Sequence, residues 1–476
     1  MRRYKRTTLI TVGCLAALAG LGLARKLQFF PPEWIFIFWP ALLILRRRTA
    51  LGLILVVILG LGLGLWRGAA YSHKLAELKS LATHPVTIEA TALTDSVYGN
   101  NSQIQFTANQ IQLVEPYQKP LAGTFKISGF GVHMIYRGDR VEVSGKLYPT
   151  RGSNQATIAY AQLAEISTGH SFFADISRKF TTGMQNALPE PLASFGLGLL
   201  VGLRTIMPQD ILNQLTAVSL VHIVAVSGYN LTIIVRGIAR LKIRSKYQRT
   251  MLSLALIGLF VMVTGFSASI IRAALVSALS LWAAYYGRRV KPMVLISFAA
   301  ALTGLMNPFY VWGDLSWYLS FLAFFGILII APTIQARLFS RQPKLITAVL
   351  LETLSAELMT LPLIMMSFSQ LSIISLLANL LVVPLVPLAM LLAATAAFVG
   401  ALLPQLAGWF AWPAVVLLTY MLDVVHILAN IPSVLLHTSI SVNLMLTFYV
   451  ILLLSVLTMR RRARMKLSEI ETVLIR

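Results

Sequence analysis

Long stretches of the chain contain almost no charged residue, and this limits the possible folds more than any other feature. Of the 476 residues, 57% are hydrophobic and 12% are charged. Soluble globular domains carry about 25% charged residues, so an ordinary water-soluble enzyme is excluded. The apolar content is also too high for an intrinsically disordered chain. The sequence therefore predicts a polytopic α-helical membrane protein with room for one small soluble domain.

Three apolar runs follow one another at the N-terminus, at residues 7–24, 33–45 and 49–66. A cleaved signal peptide also begins with basic residues and one apolar run, but two further runs favour three uncleaved helices over residues 1–67. The second run is short for a span and would need tilt or a re-entrant path. Three arginines at 46–48 separate the last two runs, so the positive-inside rule places that loop and the N-terminus in the cytoplasm.

Residues 68–170 consist of short β-branched segments separated by Gly, Asn, Pro and Ser, a pattern typical of strands at hairpin spacing. Five segments fit it: HPVTIEATAL, QIQFTANQIQLV, GTFKISGFGV, DRVEVSGKLYP and NQATIAYAQLAEI. Five strands in about 100 residues suit a small all-β barrel, and we expect an OB-like barrel outside the cytoplasm, inserted after the third helix. Its eight Lys and Arg nearly balance its seven Asp and Glu, so it has no strong electrostatic footprint for DNA.

An amphipathic segment follows at residues 171–190, and its apolar side chains fall near one helical face: Phe172, Phe173, Ile176, Phe180 and Met184. We expect it to lie on the membrane as an interfacial helix. A membrane region is predicted over residues 191–459 and a basic cytoplasmic tail over 460–476. The nine apolar runs of the membrane region are 211–237, 250–266, 268–287, 292–306, 311–331, 345–367, 371–397, 403–428 and 441–459, with a partial run at 192–203.

The positions of Lys and Arg test this arrangement independently. Between residues 192 and 460 there are fifteen, and twelve of them lie in clusters at 236–249, 288–291 and 337–344. If the first of the nine runs enters from outside, every cluster and the tail fall on the cytoplasmic side. About twelve spans follow, with both termini inside and the β domain outside. The same distribution explains most of the net charge of +23, which is therefore no sign of nucleic-acid binding.

The sequence lacks the patterns of metal sites and covalent catalysis. Cys14 is the single cysteine, and the seven histidines show no HxH or HExxH spacing, so we expect no metal and no cofactor. Ser227, in AVSG, would need a partner histidine on another helix to act as a nucleophile, and no convincing one is placed for it. We therefore expect no catalytic residue and no enzymatic activity.

Polar residues inside apolar runs are the candidate functional residues, because each one needs a partner or a wet cavity. Ser-Gly-Tyr-Asn breaks the first of the nine runs, and broken helices are tolerated only where they are buried in protein or line a cavity. Arg272 needs an acidic or carbonyl partner, and Asp314 and Glu357 are the obvious acids. Asn379, among prolines, predicts another kinked polar segment. The expected pathway residues are His222, Ser227, Gly228, Asn230, Arg272, Asp314, Ser316, Glu357 and Asn379.

Four pieces of sequence occur in a specific order: GLLVGLRTIMPQDILNQLTAVSLVHIVAVSG, GFSASIIRA, DLSWYLSFLAFFGI and SIISLLANLLVVPLVP. In these pieces the chain resembles the competence domain of ComEC-type proteins, the DNA-uptake channels of naturally transformable bacteria. The resemblance implies a channel that passes single-stranded DNA across the cytoplasmic membrane. It also implies contact with membrane lipid, a DNA receptor outside, and a separate motor or DNA-binding protein inside.

Two departures from the family pattern limit what is carried over. The family's Ser-Gly is commonly followed by Leu-His, whereas Tyr229 and Asn230 stand here. Many relatives continue into a metallo-β-lactamase-like nuclease domain, and the chain has no HxHxDH, so we expect a short form without nuclease activity. The alternative function is a secondary transporter or exporter of a small anionic or lipid-linked solute. An intramembrane hydrolase is a third, and it would need a paired nucleophile and base.

Overall fold

The computed structural model describes residues 4–27, 50–94, 96–98, 103–132, 135–136, 138–149, 154–167, 172–203, 206–224, 231, 245–264, 268–288, 291–339, 345–432 and 434–462. The chain forms two compact units. The first unit comprises residues 1–175 and 293–318, and the second comprises residues 176–292 and 319–476. The protein is mostly helical, with one seven-stranded sheet in the first unit and one two-stranded sheet in the second.

The helices in chain order are α1 (Arg6–Leu27), α2 (Ala50–Ser80), α3 (Phe172–Ala187), α4 (Leu192–Val201), α5 (Gln209–Ala217), α6 (Lys246–Thr264), α7 (Ala268–Tyr285), α8 (Pro292–Met306), α9 (Phe309–Gly313), α10 (Leu315–Phe325), α11 (Ala331–Leu338), α12 (Leu345–Phe368), α13 (Ser375–Val382), α14 (Val386–Leu402), α15 (Ala407–Ala429) and α16 (Val442–Arg462). A π-helical turn (Gly326–Ile330) joins α10 to α11. A 3₁₀ turn (Val383–Leu385) joins α13 to α14.

Seven stretches of the described chain are helical, long and apolar enough to cross a membrane: Arg6–Leu27, Ala50–Ala76, Leu315–Leu338, Thr347–Phe368, Ser375–Leu402, Pro404–Ala429 and Val442–Met459. Each corresponds to one of the twelve predicted runs. Three shorter apolar helices, Leu192–Val201, Ser269–Tyr285 and Pro292–Met306, correspond to three more apolar runs.

Helices α1 and α2 approach closely because small residues line their contact. A Cβ atom on Gly64 would collide with the carbonyl oxygen of Ala17, and one on Gly60 would lie 2.6 Å from the carbonyl oxygen of Gly13. Since 13 faces 60 and 17 faces 64, the two helices run parallel. The second predicted run, 33–45, lies outside the described residues.

Helix α2 continues well past residue 67, where we expected the N-terminal region to end. Its last turns, with Leu75 and Leu78, pack against the core of the sheet around Ile88. The hydrophobic contact explains the extension, because leucines in this turn are buried by the sheet rather than by lipid. The sheet is therefore joined to the helical part of its unit by a continuous helix.

The seven-stranded sheet contains β1 (Pro85–Ala92), β2 (Val97–Tyr98), β3 (Ile104–Glu115), β4 (Lys119–Pro120), β5 (Phe125–Phe130), β6 (Arg140–Pro149) and β7 (Ala156–Ser167). The five predicted segments are the five long strands. Hydrogen-bonded neighbours follow the order β1–β6–β7–β5–β3, and β3 pairs again with β1. Strands β5 and β7 are parallel, and the other pairs of this circuit are antiparallel.

Two arginines and a tryptophan connect helices of the first unit by donating hydrogen bonds to backbone carbonyls. Arg67 donates to the oxygens of Leu305 (2.8 Å) and Met306 (3.1 Å), which end α8 and have no partner within the helix. Arg25 donates to the oxygen of Trp312 at 2.7 Å, and the Trp312 indole donates to Leu21 at 2.8 Å. Polar groups near these helices are thus bonded inside their own unit.

Three expectations about the second unit need correction. The run at 211–237 is interrupted before the predicted Ser-Gly-Tyr-Asn break, because α5 ends at Ala217 and a turn follows in which Ser219 has a φ of 59°. The run at 371–397 begins as a strand, β8 (Gln370–Ser372), before α13 starts. Phe180 and Met184, expected to face the membrane surface, pack instead on the apolar core formed by α4, α14 and α15.

Candidate functional site

A break in the helical structure of the second unit carries four polar side chains. The Ser375 hydroxyl donates a hydrogen bond to the Glu357 carboxylate, which joins the start of α13 to the middle of α12. Asn379 lies four residues after Ser375 on α13, so the two side chains share a helical face. Ser372 ends β8, three residues before Ser375. We call Glu357, Ser372, Ser375 and Asn379 the polar cluster.

The contact between Glu357 and Ser375 shows where this break lies along α12. Glu357 precedes the end of α12, at Phe368, by eleven residues, which at 1.5 Å per residue is about 16 Å of helix. After Phe368 the chain therefore comes back along α12 before α13 begins, and β8 lies on this return. Strand β8 pairs with β9 (Leu435–His437) through Leu371 and Leu436. Extended backbone at membrane depth is tolerated only inside protein or beside a water-filled cavity.

Two oxygen atoms of the polar cluster are buried and lack a hydrogen-bond partner within the described part of the chain. They are Oγ of Ser372 and Oδ1 of Asn379, and both residues are 5% exposed. An unsatisfied buried polar group costs about 1–3 kcal/mol, so native proteins retain few of them. The polar cluster therefore carries bonding capacity that the surrounding protein does not use.

A π-helical turn lies opposite α12 in the same unit. Pro332, just after the turn, has no N–H to donate to the preceding turn, which favours the wider helix before it. Gly326 opens the turn, and a Cβ atom there would collide with the carbonyl oxygen of Ser355 on α12. Ser355 is 1% exposed, and its Oγ has no hydrogen-bond partner among the described residues. Single π-turns inside α-helices occur frequently at functional sites.

Arg272 is completely buried in α7, at 0% exposure. Its Cζ atom lies 5.8 Å from the ring centroid of Phe321 on α10, within the distance of a cation–π contact. The two acids expected as partners make other bonds. Glu357 accepts from Ser375, and Asp314 accepts the N–H of Ser316 at 2.9 Å.

Asp314 is a helix-capping residue. Besides the Ser316 N–H, its Oδ1 accepts the N–H of Trp317 at 3.2 Å, and both groups belong to the first turn of α10, which has no intrahelical partner for them. Asp314 is 2% exposed and belongs to the first unit. Ser316, two residues later, is exposed. The structure therefore gives Asp314 a local bonding role.

The remaining predicted residues are only partly described. His222 is exposed, in the turn after α5, and its Nδ1 atom lies 2.9 Å from the carbonyl oxygen of Ser219. Ser227, Gly228 and Asn230 lie outside the described residues. Of the predicted site residues, the structure brings Glu357 and Asn379 to the same break and leaves His222 on a surface.

Sequence reasoning missed the serines of the polar cluster and the π-helical turn. A usable signal was present, because positions 372, 375 and 379 are spaced by three and four and so fall on one helical face. The partner of that face on α12 was not readable from local sequence. Within the described ranges, no group of three or more His, Cys, Asp or Glu side chains is placed to hold a metal ion.

Two comparisons with known proteins bear on the second unit. A family model described as "Competence protein" matches residues 199–462, a range that includes the polar cluster, Arg272 and the π-helical turn. ComE operon protein 3 of Bacillus subtilis (strain 168) is 29% identical over 238 residues, which cover 49% of this chain and 29% of that protein. The chain therefore matches less than a third of the length of that curated relative. No solved structure matches the chain.

Proposed function

The chain belongs to the competence protein family, and on this premise we propose that it passes single-stranded DNA across the cytoplasmic membrane during natural transformation. The observation that carries the proposal is the polar cluster, which joins the middle of α12 to the start of α13 inside the range that the family model matches. Membership of the family supports a role in DNA uptake. The polar cluster supports a conducting path, because it provides a polar lining where a continuous apolar helix would provide none.

A conducting path has to solvate phosphate without holding it tightly. Weak contacts at several positions satisfy this requirement, whereas one strong site would trap the strand. Helix α13 begins beside the middle of α12, which is part of a candidate span, so its first N–H groups add a partial positive charge there. The unpaired oxygens of Ser372 and Asn379 can bond water or the amino groups of bases. These are contacts of the weak, repeated kind.

We assign the reception of the strand to the sheet of the first unit. The circuit β1–β3–β5–β7–β6, with its one parallel pair, supports the OB-like barrel expected from the sequence. Paired residues Tyr148, Thr157 and Lys126 form a row across β6, β7 and β5, and Tyr148 is 42% exposed. Tyr160 is 72% exposed nearby on β7. Exposed aromatic rings beside lysines can stack bases and contact phosphates.

The proposal includes twelve spans, with both termini in the cytoplasm and the sheet outside. Cysteine labelling tests it in a chain whose Cys14 is replaced by Ala. An impermeant reagent added outside intact cells should label Asn101→Cys and should label Ser468→Cys only after the cells are opened. Labelling of Ser468→Cys in intact cells would contradict the orientation.

The passage of DNA is tested with the purified chain in vesicles that enclose a single-strand-binding protein as a trap. A labelled oligonucleotide added outside should become resistant to nuclease. Ser375→Leu, which fills the break with aliphatic bulk, should block this protection. Ser455→Leu adds the same bulk to an exposed position of α16 and should leave it unchanged. Equal protection in both variants would contradict the proposed path.

Discontinuous helices at the membrane centre are also found in secondary transporters, so the break between α12 and α13 favours a transporter as the second candidate. The same vesicles separate the two functions. A transporter of small anions would accumulate labelled phosphate and exclude the oligonucleotide, whereas a DNA path requires protection of the oligonucleotide.

The proposal assigns no chemical step to the chain. The sequence has no GxxxxGK[ST] phosphate-binding loop, so the driving force has to come from a separate motor or from capture in the cytoplasm. The purified chain should leave DNA intact in the presence of Mn²⁺, Mg²⁺ or Zn²⁺. Metal-dependent degradation by a homogeneous preparation would contradict this assignment.

A further inference from the structure

Aromatic and basic side chains meet at one end of the hairpin formed by α6 and α7. Lys246, at the start of α6, places its Nζ atom 5.2 Å from the ring centroid of Tyr285, at the end of α7. The Tyr285 and Tyr286 rings are 5.3 Å apart and nearly perpendicular, and Trp282 lies 5.8 Å from Tyr286. The contact across the two helices brings both helix ends into one surface.

This surface is open. Tyr247, Trp282 and Tyr286 are 59%, 55% and 60% exposed. Arg249 and Arg288 are also exposed. We call the following side chains the hairpin-end surface: Lys246, Tyr247, Arg249, Trp282, Tyr286 and Arg288. Large aromatic side chains that remain more than half exposed beside several cations present ring surface on which a ligand can stack.

The surrounding sequence provides no acid to neutralise these cations. Residues 211–313 contain ten Lys and Arg and no Asp or Glu. The positive-inside rule places this end of the hairpin in the cytoplasm. Its charge therefore complements a polyanion on that side of the membrane.

The competing explanation is an ordinary aromatic belt at the membrane interface. The first turns of α15 provide the comparison. Trp409 and Trp412 are 84% and 67% exposed at the start of that helix. Residues 371–459 contain no Lys or Arg. The exposed tryptophans at this helix end thus occur without neighbouring cations, and the hairpin-end surface differs in combining the two.

We propose that the hairpin-end surface binds single-stranded DNA as it leaves the membrane, by base stacking on Trp282 and Tyr286 and phosphate contact with Lys246 and Arg288. The inference rests on the proposed function and adds a binding site to it. Aromatic platforms flanked by cations bind single strands with little sequence preference, which suits a protein that takes up any sequence. Helix α7 also carries the buried Arg272, ten residues before Trp282, which is about 15 Å along the helix.

The test measures binding of a fluorescent oligothymidylate to the full chain in nanodiscs of zwitterionic lipid, by fluorescence anisotropy. The variant Trp282→Ala/Tyr286→Ala should bind at least about tenfold more weakly, because loss of stacking on even one base has this size. Lys246→Gln/Arg288→Gln should reduce the slope of log affinity against log salt concentration by about 1.4. Trp409→Ala, an exposed tryptophan without neighbouring cations, is the matched control and should bind like the parent chain.

Unchanged binding by both double variants, or an equal loss in Trp409→Ala, would overturn the inference. A second arm measures co-purified phosphatidylglycerol. If the double variants lose this lipid but keep their affinity for the oligonucleotide, the surface is a site for anionic lipid headgroups and the inference is wrong. Vesicle uptake separates the two proposals. Parent-like uptake and affinity in the double variants reject the hairpin-end surface alone, whereas absence of uptake by the parent chain rejects the proposed function.

Discussion

The two compact units satisfy their buried polar groups in different ways. In the first unit, Arg25, Arg67 and Trp312 donate to backbone carbonyls of neighbouring helices, and Asp314 caps α10. In the second unit, three buried side chains have oxygen atoms with no partner in the described part of the chain: Ser355, Ser372 and Asn379. The first unit uses these polar groups to fix helices to one another, and its buried atom without a partner among the described residues is a nitrogen, Nε2 of Gln155 in the sheet. The second unit keeps some of its buried polar groups available, as a path for a polar ligand requires.

The packing of glycines extends this comparison. In the first unit, glycine brings α1 and α2 into backbone contact along their length. In the second unit, glycine at Gly326 lets α12 approach a widened π-helical turn. The same residue type thus makes one contact that holds two regular helices together and another that accommodates an irregular one. One chain thus combines closely packed regular helices, α1 and α2, with a region of interrupted helices around α12.

The largest expected effect is on the close packing of α1 against α2. Gly64→Ala places a Cβ atom against the carbonyl oxygen of Ala17, and neither backbone can move without separating α1 from α2. We expect the free energy of unfolding to fall by about 3 kcal/mol, the upper range for overpacking. The measurements are the abundance of the protein in the membrane and its unfolding temperature, and both should fall. Gly22→Ala is the control, because no atom lies within 4 Å of its added Cβ. Equal behaviour of the two variants would show that the close contact is not needed.

The next effect concerns Arg272. Arg272→Gln removes a fully buried cation and its contact with Phe321. A desolvated cation–π contact is worth about 2 kcal/mol, so we expect the protein to be depleted from the membrane. Arg337→Gln, at an exposed position of α11, should change neither abundance nor uptake.

Two other outcomes for Arg272→Gln are informative. Normal abundance with reduced DNA uptake would identify Arg272 as a phosphate contact and place it with the available polar groups. Normal abundance with normal uptake would exclude both a structural and a conducting role for this residue.

The third effect tests whether the Glu357–Ser375 bond joins α12 to α13. A hydrogen bond contributes about 1 kcal/mol, so Glu357→Gln and Ser375→Ala should each lower stability and the double variant should lose less than their sum. The measurement is a double-mutant cycle of thermal or denaturant unfolding in detergent. Glu357→Gln combined with Ser455→Ala should be additive, since Ser455 donates to Ile451 on its own helix. Additive losses of stability in the Glu357→Gln and Ser375→Ala cycle would show that the two side chains do not stabilise the contact between α12 and α13.

Sequence patterns predicted the regular elements well because each pattern is local. The five strand segments have partly alternating apolar and polar residues, and seven of the long apolar runs are mostly helical, so both follow from residues that are neighbours in the chain. The parallel packing of α1 and α2 also follows from the predicted three runs. Errors occurred at ends: α2 continues to Ser80 because the sheet covers its last leucines, a contact distant in sequence.

The site was predictable only in part, because hydropathy records the amount of apolar surface and not the path of the backbone. The run at 371–397 has no charged residue and a high mean hydropathy, yet it contains a strand, two helices and a 3₁₀ turn. Glu357 and Asn379 were recognised as costly residues inside the membrane. Their connection through Ser375 depends on the chain turning back along α12, and no local pattern shows that return.

The smallest expected effect compares two asparagines directly. Asn307, in the first unit, accepts the N–H of Phe309 at 3.1 Å, whereas Oδ1 of Asn379, in the second, has no partner within the described residues. Replacing this hydrogen-bonded amide by Leu should cost about 1 kcal/mol, the net value of one hydrogen bond. Replacing an unsatisfied buried amide by Leu should be neutral or stabilising, because the desolvation penalty disappears with the amide.

We therefore expect Asn307→Leu to lower the unfolding temperature with uptake reduced only in proportion to abundance. Asn379→Leu should keep or raise the unfolding temperature while reducing the uptake of oligonucleotide per molecule. That opposition between stability and activity is what an available polar group predicts, since the same unpaired oxygen weakens the fold and contacts the ligand. The comparison fails if Asn379→Leu is as unstable as Asn307→Leu, because Oδ1 would then have a structural bond. It also fails if Asn379→Leu is stable and fully active, because the path would then not need the amide.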